Sequence, residues 1–207
     1  MVGRYPGYDV MQQAHTWDRV TREIVEKRLL PQPKRRFFSD ADAAVAAAFC
    51  DTVTAQHAEP RIPVLSMVDT KLAAGRLDGY RYADMPDDGD TWRRALRGLD
   101  EVAHERYGSG FAENADEVRE AIVAQFAAGT LQGGVWGELN CKRAFSVMLR
   151  SVVSEFYSHP WAWNEIGFGG PAYPRGYMRL GEGMREPYEK PEALHTDPVR
   201  ALDQPDT

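Results

Sequence analysis

Residues 138–158 read ELNCKRAFSVMLRSVVSEFYS. Cys141, Phe145, Met148, Val152 and Phe156 recur every three or four positions, and Lys142, Arg143, Ser146, Arg150 and Ser154 fall between them. This is the 3.6-residue period of a helix with one apolar stripe facing a core. No stretch of the chain sustains the period of two that a half-buried strand needs, and βαβ spacing is absent. The pattern predicts an all-α protein.

Upstream of that helix the same reading repeats. Val118, Ile122 and Phe126 mark a helix stopped by Gly129, followed by a turn at Gln132-Gly133-Gly134. Trp92, Leu96, Leu99 and Ala103 mark a longer one stopped by Gly108, preceded by a loop from Asp78 to Asp90 that contains Pro86 and Gly89. Val64, Val68 and Leu72 lie one turn apart behind Ile62-Pro63, where a proline in the first turn sacrifices no hydrogen bond, and Gly75 is a C-terminal stop. Ser39 is a good N-cap for an alanine-rich helix with the stripe Val45, Phe49, Val53, closed by Pro60. A first helix spans about Asp9 to Leu30, with Trp17, Val20 and Ile24 on its apolar side and Pro31 and Pro33 at its end. The expected architecture is a compact bundle of about six helices followed by an irregular C-terminal segment. Residues 1–180 form one domain in this reading, and 181–207, rich in Pro, Glu and Asp, an extended tail.

Composition narrows the function. A 207-residue chain with 43% hydrophobic and 11% aromatic residues can bury a real core. Its net charge of -6 argues against a nucleic-acid binder, which needs a basic stripe to neutralise phosphates. No run approaches the roughly 18 apolar residues of a membrane span. Cys50 and Cys141 read as two buried free thiols; an internal disulfide, or a bond to a partner outside the cytoplasm, is the alternative. Met1 to Val10 lacks the basic-then-apolar pattern of a secretory signal. Arg35-Arg36-Phe37-Phe38 has the look of a twin-arginine signal, but Asp40 and Asp42 interrupt the apolar core that should follow.

Catalytic motifs are not found. There is no nucleophile elbow and no phosphate-binding loop, and Gly108-Ser109-Gly110 lacks both the preceding strand and the third glycine of a dinucleotide fingerprint. Glu101-Val102-Ala103-His104 has the Glu-x-x-His spacing of helical di-iron sites, but such sites face two copies of the motif and one is present here. The bland reading is a solvated ion pair; a helical metalloprotein built around His104 is the enzyme alternative. No catalytic, cofactor-binding or metal-ligating residue is nominated.

Residues 157–180, YSHPWAWNEIGFGGPAYPRGYMRL, are different in character, with seven aromatics, four glycines and three prolines. Such density predicts a non-helical segment, stiffened by Pro and turned by Gly. Tyr, Trp and Arg dominate interface hot spots, so Trp161, Trp163, Phe168, Tyr173, Arg175 and Tyr177 are candidate partner-binding residues. Tyr80 and Tyr82, in a smaller cluster around Arg81, join them. The competing reading is that these rings fold back and cap the helical core.

The run Ser158-His159-Pro160-Trp161-Ala162-Trp163-Asn164-Glu165-Ile166-Gly167-Phe168-Gly169-Gly170-Pro171, continued by Ala172-Tyr173-Pro174-Arg175-Gly176-Tyr177, resembles the C-terminal signature of the gluconate 2-dehydrogenase subunit 3 family. Ile62-Pro63-Val64 through Lys71-Leu72, with Asp78-Gly79-Tyr80-Arg81-Tyr82, resembles its middle motif. The resemblance spans roughly Phe37 to Leu180. It implies a non-catalytic accessory subunit without a cofactor of its own. The implied partner is a larger glucose–methanol–choline type flavoprotein, which holds FAD and oxidises a sugar or polyol. A cytochrome is the implied electron acceptor. Many such small subunits carry a twin-arginine signal for both chains; without one, a cytoplasmic complex is expected, or export with a partner that carries the signal. A further alternative is that the subunit lends side chains to the partner's substrate pocket.

Overall fold

A computed structural model describes residues 5, 7–76, 81–179, 181 and 184–190. Among these residues the secondary structure is helical throughout, with no strand. The elements are α1 (Arg19–Lys27), α2 (Asp40–Val53), α3 (Val64–Ala73), α4 (Asp88–Tyr107), α5 (Asp116–Ala128), α6 (Cys141–Ser158) and α7 (Pro160–Ile166). Short 3-10 turns at Val10–Thr16, Phe111–Glu113 and Gly134–Gly137 link them. The chain packs as two compact units: Met1–Leu30 with Tyr157–Thr207, here unit 1, and Pro31–Phe156, unit 2. The expectation of one domain over 1–180 did not separate them, because helical periodicity says nothing about which distant segments pair.

Unit 2 is organised around α2, which packs against α3, α4 and α5. Its alanines allow this: Ala43, Ala46 and Ala48 are buried, and small side chains let three neighbours approach one helix. Ser39 caps it as predicted, its hydroxyl oxygen accepting from the Asp42 N–H at 3.1 Å. Around it sits a chain of aromatic rings. Trp92 meets Phe38 and Phe49 edge-on at 5.6 and 6.1 Å, and Phe126 meets Phe49, Trp136 and Phe145 at 6.1, 5.0 and 5.3 Å. Each pair adds about 0.5–1.5 kcal/mol to the area it buries. Cys50 and Cys141 are free and buried, and burial raises both thiol pKa values, keeping them protonated and unreactive.

The loop expected up to Asp90 ends earlier. Asp87 caps α4 by accepting from the Asp90 N–H at 2.8 Å, so Gly89 lies in the first helical turn, against the Phe37 ring. Gly98, in mid-α4, is there for space. A Cβ at this position would stand 2.7 Å from the Trp136 indole, whose Nε1–H donates to the Gly98 carbonyl at 3.3 Å. Gly98→Ala is therefore expected to destabilise the protein by about 1–2 kcal/mol, overpacking outweighing the roughly 1 kcal/mol of helix propensity gained. Urea unfolding checks this; a stabilised variant would show that the indole gives way freely.

The Arg35-Arg36-Phe37-Phe38 stretch is built into unit 2. The N–H groups of Arg36, Phe37 and Phe38 all donate to the Asp69 carboxylate, at 2.8, 2.9 and 3.0 Å.

Unit 1 corrects the reading of its first helix. The chain forms a 3-10 turn, breaks at Trp17 and Asp18, and only then enters α1, which Asp18 caps. Trp17 is buried as expected, but Val20 and Ile24 face solvent and Val25 faces the core.

Candidate partner-binding surface

The core of unit 1 consists of Val10, Trp17, Val25 and Trp163, with Tyr8, Met11, Ala14 and Phe168 packed on it. Trp163 arrives there on α7, a helix that the sequence reading did not allow. Pro160 occupies its first turn, Gly167 ends it in the left-handed conformation at φ 67°, and the interior between them contains neither residue type. The proline and glycine delimit a short helix rather than forbid one. His159 is its N-cap, the ring Nδ1 accepting from the Trp161 N–H at 3.2 Å. The turn is tied down by long-range bonds: Trp163 Nε1–H to the Tyr157 carbonyl at 2.6 Å, Val10 N–H to the Asn164 side-chain oxygen at 2.7 Å, and Arg28 to the Ser158 carbonyl at 2.8 Å.

Beyond α7 the chain is held by Arg175. One of its terminal nitrogens donates to the carbonyls of Gly169, Gly170 and Pro171 at 2.8, 3.4 and 2.9 Å. The Tyr188 ring stacks on the guanidinium at 3.6 Å, and the Tyr188 hydroxyl donates to the Gly176 carbonyl at 2.8 Å. Glu186 is buried and accepts from the N–H groups of Met178 and Arg179. Residues 184–190, which the sequence assigns to an extended tail, thus clip onto the segment before them. Gly170 is needed where it stands: its φ is +80°, and a Cβ there would lie 2.4 Å from the Trp17 ring.

This arrangement sorts the candidate residues. Trp163 is 5% exposed and is spent on the core. Phe168 is half-buried, its ring edge-on to Trp163 at 5.5 Å, and Arg175 is a half-buried brace. Trp161, Tyr177 and above all Tyr173, at 67% exposure, present their rings to solvent. Tyr82 belongs to unit 2, half-buried beneath the Arg143 guanidinium at 4.7 Å; Tyr80 lies outside the described residues. Both readings of the aromatic segment hold at once: part of it caps a core, and part of it is presented on the outside.

Sequence reading missed Met178, at 84% the most exposed of the large apolar side chains, and Met184. It also missed the Val20–Ile24 stripe with Leu29 and Leu30. Of thirteen exposed large hydrophobics among the described residues, eleven belong to unit 1; Tyr107 and Val153 are the two in unit 2.

Among the described residues no group of three or more His, Cys, Asp or Glu side chains is placed to hold a metal ion. Glu101 and His104 have separate engagements: the Glu101 carboxylate accepts from the Val135 N–H at 3.5 Å, and the His104 ring contacts the Asp100 carbonyl at 3.0 Å. Among the same residues, no helix is long and apolar enough to cross a membrane.

The family model for gluconate 2-dehydrogenase subunit 3 matches residues 40–170. The match takes in α2 to α7 and ends at Gly170, so Tyr173, Arg175 and Tyr177 lie beyond it. Neither a curated protein nor a solved structure matches the chain. Since the match covers well over half of the 207 residues, the chain belongs to the gluconate 2-dehydrogenase subunit 3 family.

Proposed function

We propose that the chain is a non-catalytic small subunit. It holds a larger FAD-dependent dehydrogenase of the glucose–methanol–choline type, acting on a sugar or polyol, and assists its folding or maturation. FAD belongs to that partner in this reading, and a cytochrome takes the electrons. Membership of a dehydrogenase-subunit family supports the choice of partner. The observation that carries the reading is the segregation of exposed apolar side chains into unit 1. Apolar side chains scattered singly over a surface need no explanation, but concentration in one small unit marks an interaction surface. Around Tyr173 and Met178 the supporting backbone is fixed by Arg175 and Glu186, which lowers the entropy lost on docking.

Co-expression tests the proposal. The flavoprotein is expected to be more soluble and more completely FAD-loaded when this chain accompanies it. Equal yield, flavin content and activity without the chain would end the reading. Tyr173→Ala is expected to weaken the complex about tenfold without lowering thermal stability, because an exposed aromatic contributes to binding and little to folding. Tyr107→Ala, on the exposed end of α4, serves as the control and should leave affinity unchanged.

A further inference from the structure

A cavity of about 150 Å³ opens in unit 2 between the last turn of α2, the connection after it and the first turn of α5. No apolar side chain lines it. Gln56 is committed, its amide bonded both ways to the Ile62 backbone at 2.7 and 3.2 Å. Asp116 receives His57 Nδ1 at 2.9 Å on one oxygen and Arg119 on the other, and these bonds, that of His57 foremost, hold its carboxyl below the usual range. Asp51 receives Arg61, while burial pushes its carboxyl upward against that attraction. The two aspartates are therefore already supplied with donors.

The unmet capacity is on the other side. Arg119 Nε–H is enclosed and donates to nothing. Arg61 Nε–H is enclosed as well, lying 3.3 Å from Glu59 without hydrogen-bond alignment. Enclosed donors ask for acceptor oxygens. The charge of the wall then decides what brings them. Asp51, Asp116 and Glu120 against Arg61 and Arg119 leave a formal excess of negative charge with His57 neutral, which repels an anion. The described residues also offer no metal-ligand grouping. Oxygens that accept from guanidinium, carried by a neutral molecule whose own hydrogens can go to a carboxylate, are hydroxyl groups.

We propose that this cavity binds a small neutral polyol, whose hydroxyl oxygens accept from Arg119 and Arg61 while its hydroxyl hydrogens are donated to Glu120. The site stands apart from the docking role and does not depend on it. With hydrogen bonds and little apolar burial, affinity is on the order of millimolar.

Saturation-transfer NMR on the full chain with erythritol tests it. A saturable signal is expected. Arg119→Lys keeps the charge beside Asp116 but removes the Nε–H, and is expected to weaken binding about fivefold or more, the worth of one hydrogen bond to a charged group. Glu120→Ala, at the exposed rim where folding is not at stake, should weaken it similarly. A signal that does not saturate, or that is the same in wild type and both variants, overturns the proposal. So does inorganic phosphate displacing erythritol with higher affinity, which would make this an anion site.

Discussion

Asp69→Ala is expected to cost about 4 kcal/mol of folding stability, a large share of what a typical domain has. Asp69 is 1% exposed on α3, and its two oxygens accept three consecutive backbone N–H groups from the segment entering α2. A hydrogen bond to a charged acceptor contributes about 1.5–3 kcal/mol, and a donor left buried without a partner costs about 1–3. The three bonds share one carboxylate and cannot add in full, which brings the total down to the figure given. Alanine returns at most about 0.7 kcal/mol of helix propensity. Asp69→Asn separates charge and shape: it keeps one acceptor oxygen but turns an amide N–H₂ toward donors, and about half the loss is expected. Urea unfolding with an unchanged slope is the measurement. An alanine variant within about 1 kcal/mol of wild type would mean that the Arg36–Phe38 backbone finds other acceptors as readily.

The same segment shows what the sequence can and cannot disclose. Arg35-Arg36-Phe37-Phe38 resembles an export motif when read alone, because the carboxylate that holds its backbone lies more than thirty residues away. Phe38 then packs edge-on to Trp92, a contact that no local pattern encodes. What was legible was local. The Ser39 cap, the stripe of α4 with its left-handed Gly108, and the face of α6 each depend on neighbours within one or two turns, and all are found. The stripe of α1 failed for an equally physical reason. A nine-residue helix carrying Val20 and Ile24 on one side and Val25 on another offers two apolar faces, and only packing decides which one is covered. In the candidate surface, Trp161 and Trp163 are two residues apart and identical in type, yet one faces solvent and the other the core. That division depends on α7, which Pro and Gly counts concealed. The polar cavity was invisible from the sequence, since Asp51, Arg61 and Arg119 come from three separate elements.

α7 also gives unit 1 an acid sensitivity. His159 is 3% exposed; desolvation by burial, helped by the neighbouring Arg28 guanidinium, draws its pKa down to about 4. In the unfolded chain the same ring titrates near 6.5. Between these values the unfolded chain binds a proton that the folded one refuses. Stability from the neutral ring is thus complete above about pH 6.5 and is lost as the pH falls toward 4. The loss amounts to about 3 kcal/mol at the lower end of that window. Structure explains the refusal: Nδ1 is the acceptor that caps α7, and a proton on it would turn acceptor into donor opposite the Trp161 N–H, beside a cation and against the Trp161 ring at 5.1 Å. His159→Asn supplies a neutral N-cap acceptor that does not titrate there. Urea unfolding from pH 7 to pH 4 should show wild type losing about 3 kcal/mol more than the variant, the carboxylate titrations common to both cancelling in the difference. Parallel curves would mean that the ring takes up its proton in the folded protein as easily as in water. The cap of α7, and with it the placement of Trp163 in the core and Trp161 on the surface, would then rest on something other than a buried neutral imidazole.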